Sequence, residues 1–145
     1  MLSAEMIKSL VKSEEIVINP FNVSMLKTAS YTFTLGSLIL LLQKGQTLDM
    51  RNNDEILLET TIGPDGYLLE PGAFLICETA EILKLSHRIG CKFYMRGRGS
   101  RKGIDFVGNE GFCEPGSCGG GRDGRLALVT TNHGNCPVRL FCGVP

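Results

Sequence analysis

The chain lacks net charge: 15 lysines and arginines balance 15 aspartates and glutamates. No global field draws the protein towards nucleic acid or an anionic membrane, so any basic cluster acts locally. Long hydrophobic runs are missing too. The strongest, Leu38 to Leu42, covers five positions, far short of the roughly 20 that cross a bilayer as a helix. Glu5, Lys8 and Lys12 interrupt any apolar core at the N-terminus, so no secretion leader is read there. The expected location is the cytoplasm. There is no internal repeat and no disordered linker, and 145 residues are enough for one core, so one domain over residues 1–145 is expected.

Glycine, by contrast, is plentiful. Its 18 copies are well above the usual share of about 7%, which signals many tight turns and close backbone approaches. Ser3, followed by apolar residues at helical spacing through Val11, predicts a short amphipathic helix over residues 3–13. Beyond it the period is that of strands. Expected strands cover residues 15–20, 31–35, 37–43, 55–62, 67–70, 74–83, 91–95, 125–131 and 138–142, with turns at Gly63–Gly66 and Pro71–Gly72. In Tyr31–Leu35, alternation puts Tyr31, Phe33 and Leu35 on one face. The fold class is therefore all-β, an antiparallel sandwich or barrel with a short N-terminal helix. The run Gly119–Gly121, continuing to Gly124, reads as a mobile hairpin tip.

Six cysteines (77, 91, 113, 118, 136 and 142) are expected to be reduced, mostly as buried apolar side chains. Four of them form C-x4-C and C-x5-C pairs near His133. That spacing is wider than a structural zinc site normally uses, so core cysteines are preferred and no metal is assigned.

The densest chemistry lies at residues 95–103, "MRGRGSRKG", with four cations and three glycines. Glycines allow backbone N–H groups to approach phosphate oxygens, and an arginine fork supplies paired charge-assisted hydrogen bonds. Alone, such a string reads as a solvated loop. Its setting decides otherwise. "INPF" (18–21), "ASYTFTLG" (29–36), "YLLEPGAFLICETAEILKLS" (67–86), "RGRGS" (96–100), "CEPG" (113–116) and "NHGNCPVRLFCG" (132–143) occur in this order. Together they resemble the dCTP deaminase and dUTPase superfamily, in particular its dCTP deaminase branch, over nearly the whole chain.

The resemblance implies a distorted, jelly-roll-like β-barrel of dUTPase type, assembled as a homotrimer with sites between subunits. It implies a pyrimidine deoxynucleoside triphosphate as ligand, nominally dCTP deaminated to dUTP without a cofactor. Arg98, Gly99 and Ser100 match the family's nucleotide and phosphate segment, and Arg101 matches its second, catalytic arginine. The family's first serine of that segment is Gly99 here, and the loop to Gly103 is two residues short.

Two acidic positions of the family are also replaced. The deaminase glutamate, the general base that activates water, is Val129, and a motif aspartate is Thr32. Valine cannot accept a proton. Two alternatives therefore stand beside deamination. One is a catalytically silenced homologue that binds a nucleoside triphosphate or regulates. The other is a dUTPase-like diphosphatase with Glu114 as its catalytic carboxylate and magnesium present. The resemblance also implies one more strand beyond Pro145 than this chain carries.

A nucleic-acid role for the basic loop is disfavoured by the zero net charge, and by the lack of stacking aromatics beyond Phe93 and Tyr94. His87 and His133 read as surface residues. Glu78 and Glu81, three apart on one strand, point to opposite faces. Asp105 reads as a turn-former in a loop.

Overall fold

A computed structural model describes residues 1–52, 55–106, 111–117 and 120–145. Cys118 and Gly119 lie outside the described residues. The chain is all-β, as the strand spacing predicts, with one short helix at the N-terminus.

That helix, α1 (Ala4–Lys12), starts where Ser3 Oγ accepts the Met6 N–H, and ends at Ser13. Glu5 in its first turn and Lys12 in its last complement the helix dipole. Its buried Ile7 and half-buried Leu10 and Val11 face inward.

The centre of the fold is β7 (Phe74–Leu85). Its outer neighbours are β11 (Arg125–Asn132) on one edge, and on the other β4 (Leu35–Leu42) followed by β1 (Ile16–Asn19), all antiparallel. The strand β5 (Leu57–Thr61) extends the sheet beyond β4, and β9 (Ile104–Phe106) extends it beyond β11. Shorter ladders close the structure: β2 (Leu26–Lys27) with β3 (Ser30–Tyr31), β6 (Tyr67–Leu69) with β12 (Val138–Leu140), and β8 (Cys91–Lys92) with β10 (Phe112–Cys113).

Register sets which side chains enter the core. Ile39, Cys77 and Leu128 share one row and are buried, while the adjacent row, Leu40, Ile76 and Val129, faces the other side of the sheet and is only half-buried. Leu75, Leu83, Leu85 and Leu126 fill the same interior as Ile39. The wrapped sheet and its short ladders form a distorted barrel around that core.

Several expected strands are shorter in the structure. In Tyr31–Leu35 the ladder is interrupted because a side chain takes a strand's place: buried Glu81 accepts both the N–H and the hydroxyl of Thr34, each at 2.9 Å. The predicted facing survives, since Tyr31, Phe33 and Leu35 all pack on the core. Of the strand expected over 91–95, β8 covers Cys91–Lys92 among the described residues, and the chain enters a helical turn after Arg96. The last strand ends at Leu140, and Gly143 and Val144 instead bond Leu35 at the start of β4. Asp105 is not in a loop. It pairs with Thr131 within β9.

Candidate functional site

Arg96 is the last extended residue before Gly97–Ser100 close a single helical turn, α2. The turn uses its own backbone. Gly99 and Ser100 donate to Arg96 O at 2.8 and 3.0 Å, Arg101 to Gly97 O at 3.1 Å, Lys102 to Gly99 O at 2.8 Å and Gly103 to Ser100 O at 3.0 Å. With the amides of 99–103 bonded internally, an anion arriving here meets side chains and, of the backbone of α2, only the N–H groups of Gly97 and Arg98. Arg96, Arg98, Ser100, Arg101 and Lys102 are all exposed. Among the described residues no carboxylate pairs with any of the four cations. Like charges on one turn repel, and a polyanion would relieve that repulsion.

Local packing explains the unusual residues of the turn. A Cβ on Gly99 would lie 2.3 Å from Met95 Sδ, so Met95 fills the space into which a side chain at 99 would emerge. The Arg101 guanidinium folds back over Gly97, with Nη1 3.4 Å from where a Cβ would stand. The turn is anchored at its end, where His133 donates to Gly103 O at 2.8 Å. Behind this contact, fully buried Asn132 bonds Leu69 O, Cys136 O and the Gly134 N–H, at 3.0, 2.9 and 2.9 Å. Sequence reading missed Asn132. Its signal was its place at the head of the "NHGNCPVRLFCG" segment, an amide beside a His-Gly turn.

The other candidate residues are not gathered around the turn. Glu114 is exposed, its carboxylate unbonded among the described residues, while its backbone oxygen accepts Ser117 N–H at 3.1 Å. It leaves the β8–β10 ladder at the Cys91–Cys113 end, whereas the arginine turn departs from the other end, beyond the Phe93–Gly111 bond. His87 and His133 are exposed. Thr32, at the family's motif aspartate, engages through its backbone, donating to Met25 O at 2.9 Å.

Val129 stands on the outer face of β11, opposite Ile76. The next pair on that face is Ala127 with Glu78, so Glu78 is the diagonal neighbour of Val129. Glu78 is only 5% exposed, and one of its oxygens accepts the Arg122 N–H at 2.7 Å. It thereby holds the turn Arg122–Gly124, whose Arg122 guanidinium also pairs with Glu59. This glycine-rich tip is thus a fastened turn in its described part. Glu78 also lines a cleft of about 220 Å³ with Ser37, Arg125 and Cys142. Glu81 points the opposite way, to Thr34, as the odd spacing predicts. A second cleft of about 290 Å³ lies between Leu42, Leu57, Phe74 and Met50. The arginine turn lies outside both.

Cysteine placement is mixed. Cys77 and Cys113 are buried, Cys91 is half-buried, and Cys136 and Cys142 are exposed rather than buried. Among the described residues no group of three or more metal-ligating side chains converges.

Comparison with known proteins gives consistent matches along the whole chain. The family described as dCTP deaminase-like matches residues 1–144. A dCTP deaminase, dUMP-forming, of Coprothermobacter proteolyticus is 31% identical over 99% of this chain and 76% of its own length. Its namesake in Hydrogenobaculum sp. is 28% identical with the same coverage. Among solved structures, the 2'-deoxycytidine 5'-triphosphate deaminase of Agrobacterium tumefaciens superposes with a TM-score of 0.70 at 18% identity. It is matched over 98% of this chain, which spans 44% of that longer one.

Proposed function

Because this chain belongs to the dCTP deaminase-like family, we propose that it binds a pyrimidine deoxynucleoside triphosphate, nominally dCTP, and acts in its hydrolytic deamination. In that reaction water adds its oxygen at C4 of the base and ammonia leaves. The observation that carries the reading is the arginine turn: Arg98, Ser100 and Arg101 exposed on one closed turn, with no neutralising carboxylate among the described residues. Arg98 and Arg101 would take the phosphates through paired charge-assisted bonds, with Ser100 as a further donor. Gly99 gives room to Met95 and has no side chain to offer the ligand.

The turn lies on open surface outside both clefts, so a second wall for the nucleotide has to come from another copy of the chain. This supports the homotrimer with sites between subunits. The half-buried outer row Leu40, Ile76 and Val129 offers an apolar surface for such packing.

Val129 favours a second reading, a homologue that binds the triphosphate without turning it over, because valine cannot activate water. The diphosphatase reading has less support. Glu114 stands at the far end of the β8–β10 ladder from the arginines, and among the described residues no group of three or more metal-ligating side chains converges to hold magnesium.

The test is to incubate the purified chain with dCTP and with dUTP, with and without magnesium. Ammonia, dUTP, dUMP and diphosphate are followed, and binding is measured by calorimetry. Ammonia from dCTP supports deamination, and the nucleotide recovered assigns dUTP or dUMP as product. Binding without product supports the silenced homologue. Failure to bind either nucleotide removes both readings. Arg98→Ala should weaken binding by about tenfold or more, the loss of one charge-assisted contact.

A further inference from the structure

Cys91 and Cys113 stand directly opposite each other in the antiparallel β8–β10 ladder. Opposed residues of such a pair carry side chains on the same face, with Cα atoms about 4.5 to 5.5 Å apart. A disulfide spans Cα separations of about 4.4 to 6.8 Å. Both cysteines are free thiols here, and Cys91 is partly open to solvent. The next pair but one in the same ladder is Phe93 with Gly111, joined at 2.7 Å, so the two thiols sit on a fixed register.

We propose that Cys91 and Cys113 form a redox-active dithiol, which a small-molecule disulfide oxidises to a cross-strand disulfide. The chemistry of the pair suits exchange. A hydrogen bond from the Cys91 thiol lowers Cys113 to about 7, against the effect of burial and with a second hydrogen bond from Ser117. The same contact, together with burial, holds the Cys91 proton far above the thiol range. One proton therefore leaves near neutrality, and a thiolate of that pKa is both populated and nucleophilic.

Cys113 is buried in the closed ladder, so the first step follows a local opening of β8 from β10: its thiolate attacks one sulfur of the oxidant, whose S–S bond breaks and expels one thiolate. Cys91 then loses its proton to solvent and attacks the Cys113 sulfur, expelling the second thiol. The two protein thiols give up two electrons and two protons, and the oxidant is reduced to two thiols. The bridge would join the two ends of the segment from Phe93 to Gly111, which carries the arginine turn. In a reducing compartment such a bond is transient. This inference is independent of the nucleotide reading.

The test uses the full chain with Cys136→Ser and Cys142→Ser, which removes the exposed thiols. The reduced protein is equilibrated with oxidised glutathione at pH 7.5 and mapped by mass spectrometry without reduction. The expected product is a Cys91–Cys113 crosslinked peptide, two hydrogens lighter than the reduced pair. In the same background Cys91→Ser should instead retain glutathione on Cys113. Recovery of both thiols free, a stable glutathione adduct on Cys113 with Cys91 present, or a bridge through Cys118 would each overturn the proposal. Hydrogen exchange gives a second readout: amides of Cys91 to Phe93 should exchange more slowly in the oxidised form.

Discussion

Gly103 and Gly134 meet backbone to backbone: a Cβ on Gly103 would lie 2.4 Å from the Gly134 nitrogen and 2.5 Å from its Cα. Gly103 also has φ +80, a conformation that glycine adopts without steric cost. The contact fixes where the arginine turn stands relative to the loop after β11. Gly103→Ala should therefore cost about 3 kcal/mol, from left-handed strain plus a backbone clash that no rotamer relieves. Urea unfolding measures it, and a midpoint equal to that of the parent would show that the contact is dispensable. Triphosphate binding should weaken in the same variant, because the turn must shift.

Gly99 makes a softer contact. Its neighbour is the flexible end of Met95, so Gly99→Ser, which restores the hydroxyl of the family pattern, should cost only about 1 kcal/mol. The penalty should shrink in a Met95→Ala background, where the space is vacated. A double-mutant cycle checks this, and additive effects would mean that the two positions do not compete for the same volume.

Val129 and Glu78 share a face as diagonal neighbours. Val129→Glu places a second carboxylate beside the first and should cost about 1 kcal/mol at pH 7 by like-charge repulsion. The penalty is present when both carboxyls are ionised, shrinks as pH falls towards the ordinary glutamate value of about 4.3, and is absent below it. Glu78→Gln keeps an acceptor for the Arg122 N–H and should abolish the penalty. If position 129 limits turnover, the double variant should release ammonia from dCTP faster than the parent does. An unchanged rate would place the limit elsewhere.

Cys77 makes stability depend on pH at the alkaline end. Burial pushes its thiol up to about 11, from an ordinary value of 9.0. Unfolded chains lose this proton near the ordinary value, whereas the folded chain retains it, so the unfolded state binds fewer protons between the two. Stability from this group is full below pH 9 and falls as pH rises towards 11, at up to about 1.4 kcal/mol per pH unit. Cys77→Ala lowers overall stability but should flatten that slope. Chemical denaturation at pH 8, 9.5 and 10.5 tests it, and an identical slope in the variant would contradict the assignment.

The order of strands, the N-terminal helix and the core facing of Tyr31, Phe33 and Leu35 were legible because they rest on local periodicity, which the polypeptide carries residue by residue. The opposite facing of Glu78 and Glu81 was legible for the same reason. Family membership was readable from motif order, since six short segments in sequence survive individual substitutions such as Gly99 and Val129.

What tertiary structure alone decided are relations between residues far apart in the chain. Glu81 replaces a strand partner for Thr34, which broke a strand that alternation predicted. Glu78 became both the anchor of the Arg122 turn and the carboxylate beside Val129, because antiparallel register brings β7 and β11 together. The loop at 95–103 became a closed helical turn that bonds the amides of 99–103 internally. The cysteine pair across β8 and β10 appears in the sequence only as two unrelated positions. Sequence specifies which side chains can bury or bond, but the pairing of distant strands fixes which of them share a face, a cleft or a proton.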